Sequence, residues 1–240
     1  DKVLQQVSAI LKAQLLEKRP GLTDIYQLGA VRFERAGNLV EILSRIDHAL
    51  TLAEGLGPNS SYALEHEGQV KVMPGEQWHT LILHAVESSE LKLAYFPVLS
   101  RGGVLLHQEG MVRMQIEAGK PLIVAGEFMP IVSHFSLTPL VDLEVVRLAI
   151  QHLTAAAGHV AVNISAASIA NWTFRSELSK LLRGHAEICP RLWLEVTEYG
   201  AFRNFDAFKD ICFALKGLGC HVGVEQFAQR LAEIKRITEL

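Results

Sequence analysis

Cysteine is scarce in this chain, and its spacing excludes the common cysteine-based sites. The three cysteines among 240 residues are Cys189, Cys212 and Cys220, and no two form a C-x-x-C pair. Isolated thiols of this kind favour a structural role in a reducing compartment over a redox role. The sequence therefore predicts neither a disulfide framework nor a cysteine-ligated zinc site.

Basic charge and long apolar runs are also lacking. The formal net charge is -3, which argues against nucleic-acid binding because that activity needs a basic face. No segment approaches the roughly 18 apolar residues of a membrane span, and no signal peptide is apparent. We expect any membrane attachment of the parent protein to lie outside this chain. Hydrophobic residues make up 49% and charged residues 20%, which is typical of a globular protein.

Residues 1–64 are predicted to form a helix, a strand and a second helix. Apolar residues recur at helical spacing in Asp1–Arg19, and "IYQLGAVRF" has the composition of a strand that Gly29 interrupts. Asn38 can cap the second helix, which "GLGPNSS" ends. A segment this short is a marginal fold by itself, so we interpret it as part of a domain.

Strands alternate with helices after residue 90. Residues 65–90 are predicted to be a polar linker followed by a connecting helix, and 91–240 show repeated strand–helix units. This pattern predicts an α/β fold with a parallel sheet, closed as a (β/α)8 TIM-like barrel. Such a barrel needs about 250 residues, so we expect a barrel that is incomplete at its C-terminus, with its last third absent.

Polar side chains end four of the predicted strands. The carboxyl ends of parallel strands meet on one face of a barrel, so we expect these side chains to share a site. Carboxylate and amide oxygens suit Mg²⁺ or Mn²⁺, and an arginine beside them can bind a phosphate. The strand-end residues are Glu109 with Arg113, Asn163, Glu195 with Glu198, and Glu225 with Gln226.

The same segments carry a family resemblance. "HQEGMVRM" resembles the E-A-L-x-R strand of EAL domains, and "FMPIVSHFSL" resembles their F-I-P-x-A-E-x-x-G-L segment. "VAVNISAASI" is similar to their V-N-L-S strand and "LWLEVTE" to L-E-I-T-E, while "VGVEQFA" stands where the family has A-x-D-D-F-G.

The resemblance implies binding of the bacterial messenger cyclic di-guanylate (c-di-GMP). In active members, two metal ions activate the water that cleaves one phosphodiester linkage. Carried over position by position, the resemblance implies that c-di-GMP binds through Glu109, Met111, Arg113, Pro130, Asn163, Glu195, Glu225 and Phe227. The family's metal-ligand positions correspond to Glu109, Asn163, Glu195 and Glu225.

Two departures from the family pattern favour a receptor over an enzyme. The Asp-Asp pair is Glu225–Gln226 here, and Gln226 removes one negative charge from between two cations. Glu225 is one methylene longer than Asp, so we expect its carboxylate to overshoot. Phe96 also replaces the usual Gln before the proline of the first strand. We therefore expect a relic metal site that needs no cofactor, with Mg²⁺ or Mn²⁺ used only if residual phosphodiesterase activity exists.

The first segment resembles the closing part of a GGDEF domain. "EILSRIDHALTLAEGLGPN" matches that family's final helix, although the glycine-rich GGDEF signature is absent. A degenerate GGDEF portion before a degenerate EAL domain most resembles inner-membrane c-di-GMP receptors that control a periplasmic protease. The resemblance implies a cytoplasmic module of a membrane protein, a homodimer, and a diguanylate cyclase or a periplasmic protease as partner of the parent protein.

Three functions stay open at this point. The first is a catalytically inactive receptor that signals through conformational change and protein association. The second is a weak metal-dependent c-di-GMP phosphodiesterase, which the presence of Glu109 keeps open. The third is an interaction scaffold without nucleotide, against which Arg113 and Asn163 argue, because folding requires neither.

Overall fold

The protein forms two compact units in a computed structural model. The first unit combines Asp1–Leu83 with Gly126–Ser136, and the second combines His84–Ala125 with Leu137–Leu240. The domain boundaries expected at residues 64 and 90 stay a prediction. The structure describes residues 2–18, 26–33, 42, 45–46, 49–50, 52–53, 59–64, 75–116 and 119–225.

The first unit contains a two-stranded parallel sheet. Helix α1 (Lys2–Lys18) precedes strand β1 (Gln27–Val31), as the sequence predicts, and β1 pairs in parallel with β2 (Ser60–Leu64). Strand β2 was not predicted, because it is short and directly follows a Gly-Pro turn signal. The unit also contains most of helices α2 (Gly75–Glu87) and α3 (Ala125–His134).

Gly29 allows a helix to pack closely on β1. The described positions between residues 42 and 53 are helical, as predicted. A Cβ atom at Gly29 would come within 2.3 Å of the Leu50 backbone nitrogen. The glycine that interrupts the predicted strand is therefore required by this close approach.

The second unit is built from strand–helix repeats. None of the helices in the described part of the chain combines the length and apolar character needed to cross a membrane. The predicted final helix and the residues of "QFA" lie outside the described residues. Besides α3, which lies between β5 and α4, the strands and α-helices after α2 are β3 (Leu91–Leu99), β4 (Leu105–Met114), β5 (Ile123–Val124), α4 (Thr138–Ala155), β6 (Val160–Asn163), α5 (Ala166–Ala170), α6 (Trp172–Arg183), β7 (Leu192–Thr197), α7 (Glu198–Arg203), α8 (Phe205–Gly217) and β8 (His221–Glu225).

The sheet of the second unit is mostly parallel. Its strand order is β3-β4-β6-β7-β8, with β5 paired to β4. Strands β4, β6, β7 and β8 are parallel, which confirms the predicted α/β class, whereas β3 is antiparallel to β4. Residues 100–104 connect β3 and β4 through a turn in which Gly103 has a φ of +79°. Five residues suffice for a hairpin but not for a parallel crossover, which needs about a dozen.

Strand β7 shows how the sheet separates core from site. Leu192, Leu194 and Val196 are at most 3% exposed. The alternate residues Trp193, Glu195 and Thr197 are half-buried and point to the opposite face. We call that opposite face of the sheet the inner face. The apolar outer face therefore anchors the strand, and the inner face carries its polar residues.

Candidate functional site

Strand register brings the polar strand ends together on the inner face. Asn163 pairs with Glu195, and Glu225 pairs with Thr197, two residues beyond Glu195. Glu109 pairs with Ala161, two residues before Asn163. Steps of two residues preserve the face of a strand, so all four polar side chains point the same way.

Three carboxylates meet at this place. One oxygen each from Glu109, Glu195 and Glu225 lies within 4.8 Å of the others. Asn163 Nδ2 donates a hydrogen bond to Glu109 Oε1 at 3.2 Å. The extra methylene of Glu225 thus does not carry its carboxylate out of the cluster. We call Glu109, Asn163, Glu195 and Glu225 the carboxylate cluster.

The carboxylate cluster is electrostatically crowded. Burial, and then the charge of Glu109, raise the pKa of Glu195. Burial, and then the charges of Glu195 and Glu109, raise the pKa of Glu225, although a hydrogen bond with Asn163 acts in the opposite direction. Raised pKa values mean that the charged forms are disfavoured, so the cluster gains free energy from binding a proton or a cation.

The donor set fits a hard divalent cation. Among the described residues, the buried Oδ1 of Asn163 accepts no hydrogen bond, and a buried polar atom normally has a partner. Opposed oxygen ligands of one Mg²⁺ or Ca²⁺ ion are roughly 4 to 5 Å apart, which matches the span of the carboxylates. Glu109, Asn163, Glu195 and Glu225 could therefore hold such an ion.

Arg113 lies on the same face, further along β4. Its guanidinium carbon is 5.9 Å from the centre of the Phe96 ring, and its Nη1 donates to the Val112 carbonyl at 2.9 Å. Phe96 pairs with Glu109 across the β3–β4 hairpin and is 48% exposed. The arrangement presents an arginine fork beside an exposed ring, next to the carboxylates.

A ring stack that the sequence did not predict lies toward the start of the strands. Trp193 stacks between His107 and His221, with ring centres 5.4 Å and 4.4 Å away. Nε2 of His107 lies 3.8 Å from Oε1 of Glu195. Burial lowers the pKa of His107, against the charge of Glu109, which raises it. The sequence contained one signal for the contact between His107 and Glu195. His107 lies two residues before Glu109 on β4 and therefore occupies the same face of the strand.

The remaining predicted site residues have different positions. Met111 is half-buried on β4 between Glu109 and Arg113. Glu198 is 2% exposed at the first position of α7. Pro130 lies inside α3 in the first unit, and its role stays a prediction. Gln226 and Phe227 lie outside the described residues.

Comparisons with known proteins match a stretch of the chain that includes the whole second unit. The EAL domain family model matches residues 81–240. The cyclic di-GMP phosphodiesterase PdeF of Escherichia coli K12 is 27% identical over 158 residues, which cover 64% of this chain and 21% of PdeF. This chain therefore corresponds to only part of that curated relative.

Solved structures of other proteins have a fold similar to that of this chain. The Vibrio cholerae LapD S helix-GGDEF-EAL structure bound to c-di-GMP has a TM-score of 0.76 at 22% identity, covering 87% of this chain and 52% of that one. The Pseudomonas aeruginosa MucR phosphodiesterase in its c-di-GMP complex has a TM-score of 0.56 at 27% identity, covering 64% of each chain.

Proposed function

The chain belongs to the EAL domain family, and on that premise we propose that it is a receptor module that binds c-di-GMP without efficient hydrolysis. The observation that carries the proposal is the convergence of Glu109, Asn163, Glu195 and Glu225, from four strands, on the face that also holds Arg113. PdeF is named a cyclic di-GMP phosphodiesterase, and the MucR structure is a complex with c-di-GMP. Both relatives support c-di-GMP as the ligand.

Arg113 and Phe96 would recognise complementary parts of a cyclic dinucleotide. A guanidinium has five N–H donors, and one of those of Arg113 is engaged by a described residue, the Val112 carbonyl. The others suit a phosphodiester oxygen, because arginine binds such groups as a planar fork. The exposed ring of Phe96 and the side chain of Met111 offer apolar surface to a purine base. Base contacts by Pro130 and Phe227 stay predictions from the family pattern.

Gln226 is the reason for proposing weak or absent turnover. Bound divalent cations would supply an activated water and stabilise the oxygens of the cleaved phosphodiester. Gln226, in place of the second Asp of the family pattern, offers one neutral oxygen where a carboxylate would offset two positive charges. On this proposal the chain's own residues bind and orient the nucleotide, and the ligand is released intact.

A receptor without turnover must signal through differential binding. Ligand shifts a conformational equilibrium only as far as it binds one state more tightly than another. We propose that c-di-GMP changes the association of the parent protein, as a homodimer or with a diguanylate cyclase or a periplasmic protease. The parent would be an inner-membrane protein with this module in the cytoplasm.

Calorimetry and a turnover assay together test the proposal. We expect the chain to bind c-di-GMP in an isothermal titration with and without Mg²⁺. We also expect chromatography to detect negligible linear product with Mn²⁺. Absence of any binding heat under both conditions would favour the scaffold and contradict the proposal.

A weak metal-dependent phosphodiesterase is the second candidate. Three carboxylates within 4.8 Å of one another and the unsatisfied Oδ1 of Asn163 favour it. Turnover on the order of 1 s⁻¹ or more with Mn²⁺, removed by a chelator, would establish the enzyme and exclude the silent receptor.

A further inference from the structure

Asp142 is a buried carboxylate outside the carboxylate cluster. It lies on α4, which packs against β6, and is 4% exposed. Among the described residues, no lysine, arginine or histidine forms an ion pair with it. Burying a carboxylate without a cation costs free energy unless its oxygens accept hydrogen bonds.

The hydrogen bonds to Asp142 come from the segment that follows β6, at Ser165 in the turn and at Ser168 in α5. Its Oδ2 accepts from the Ser165 backbone N–H at 2.9 Å and from Ser168 Oγ at 2.6 Å. Ser165 Oγ separately accepts from the Ser168 backbone N–H at 3.1 Å, which caps α5. The helix is therefore capped without Asp142, and the buried carboxylate instead ties the turn to α4.

That turn begins at the residue after Asn163. The Ile164 backbone N–H donates to the Glu195 carbonyl at 2.7 Å. The chain beyond Asn163 is thus held by β7 at Ile164 and by Asp142 at Ser165. Two fixed residues directly after Asn163 restrict its backbone, and with it the direction of its side chain toward Glu109.

We propose that Asp142 is a positioning residue that holds Asn163 in its place in the carboxylate cluster, acting through Ser165 and Ser168. The inference rests on the proposed function, because that function gives Asn163 its contact with ligand. On this proposal Asp142, on the outer side of the sheet, positions a ligand-binding residue of the inner face.

The side-chain amide of Asn163 reports its orientation directly. Its two N–H signals in a ¹H–¹⁵N spectrum of the full chain can be assigned by their loss in Asn163→Ala. We expect Asp142→Ala to move these signals and to weaken c-di-GMP binding about tenfold. Because both bonds end on one oxygen, the carbonyl of Asp142→Asn can accept them, and we expect this variant to restore signals and affinity.

A matched variant separates positioning from general destabilisation. Val146 lies on the same helix and is 0% exposed, so Val146→Ala should lower the melting temperature. We expect it to leave the Asn163 signals and the affinity for c-di-GMP unchanged. If Asp142→Ala does not fold, Ser168→Ala removes the shorter of the two bonds, and we expect it to move the signals in the same direction.

Unchanged Asn163 signals in Asp142→Ala, or in Ser168→Ala in its place, would overturn the inference. Equal movement in Val146→Ala would overturn it as well, because the effect would then be a general loss of stability. The amide signals need no nucleotide. If the wild-type chain binds no c-di-GMP while Asp142→Ala still moves them, the proposed function fails and the positioning role stands.

Discussion

Two acidic regions of the second unit, one buried and one half-buried, have opposite surroundings. Asp142, behind β6, accepts bonds from Ser165 and Ser168 on one oxygen. Glu195 and Glu225, on the inner face, have each other and Glu109 as neighbours. Burial raises the pKa in both regions. Around Asp142 the other causes are hydrogen bonds that lower the pKa, whereas on the inner face neighbouring carboxylate charges raise it further, against a hydrogen bond from Asn163. A carboxylate with donors holds the fold, whereas crowded carboxylates are suited to a cation or a ligand.

The largest expected effect is on cation binding at the carboxylate cluster. Replacing Glu195 by Gln removes a charged oxygen from the set that spans 4.8 Å. We expect Glu195→Gln to weaken Mn²⁺ binding, followed by calorimetry, by about a hundredfold or more, since loss of an outer-shell partner alone costs 10- to 100-fold.

Glu144→Gln is the matched control for that experiment. Glu144 is a glutamate of the same unit outside the carboxylate cluster; it is 7% exposed and accepts a bond from Arg147 at 3.2 Å. We expect the control to bind Mn²⁺ as the wild type does. If the two variants lose affinity equally, cation binding does not depend on the inner face and the comparison between the two regions fails.

Arg113 should give the next largest effect, on the nucleotide. Charge-assisted hydrogen bonds contribute roughly 1.5–3 kcal/mol, so Arg113→Ala should weaken c-di-GMP binding about ten- to a hundredfold. Arg113→Lys should recover part of this loss, because an ammonium keeps the charge without the fork. Arg147→Ala, at a guanidinium that pairs with Glu144 on the outer side, serves as control. Unchanged affinity in Arg113→Ala would remove Arg113 from the site.

Stability should change in opposite directions in the two regions. Without a divalent cation, Glu225→Gln removes a crowded charge and should raise the melting temperature by roughly 2–4 °C at pH 7.5. Asp142→Ala should lower it, because Ser165 N–H and Ser168 Oγ lose their acceptor. Thermal melts with a chelator present measure the melting temperature of both variants. A lower melting temperature in both variants would contradict the expected difference between the two regions.

The pH dependence of the Glu225 effect has a defined sign. A carboxyl whose folded pKa is raised binds more protons in the folded state than in the unfolded state. Its contribution to stability is complete below the unfolded pKa of about 4.3 and is lost as the pH rises through the folded pKa. The rise in melting temperature caused by Glu225→Gln should therefore become smaller as the pH is lowered from 7.5 to 5. Added Mg²⁺ should also reduce this rise at pH 7.5.

The sequence predicted the inner-face residues because strand alternation and the meeting of strand ends are local rules. Asn163 and Glu225 each end a strand and Glu195 lies two residues before the end of β7, so their convergence followed from parallel pairing. The antiparallel pairing of β3 was missed, although Arg101-Gly102-Gly103 marks a short hairpin. The expected overshoot of Glu225 ignored the freedom of a longer side chain to fold back.

Other features depend on distances that no motif encodes. Asp142 is 23 residues from Ser165, and nothing in the helical spacing of α4 indicates that one side chain reaches the turn after β6. The stack of Trp193 with His107 and His221 joins three separate strands. Such contacts arise from packing, and sequence periodicity reports only which face a residue occupies.

Gly223 offers the smallest and most local test. A Cβ atom at this position would lie 2.9 Å from Glu195 Cγ and 3.1 Å from Oε1, so an alanine must displace the carboxylate. Because Gly223 does not have a positive φ, the effect is steric and leaves the strand intact. We expect Gly223→Ala to weaken Mn²⁺ binding several-fold, less than Glu195→Gln, because the carboxylate moves but is retained. Gly217→Ala, where a Cβ meets no atom within 4 Å, controls for the added methyl group. Equal Mn²⁺ affinity in the two alanine variants would mean that the cation does not require Glu195 in its present position.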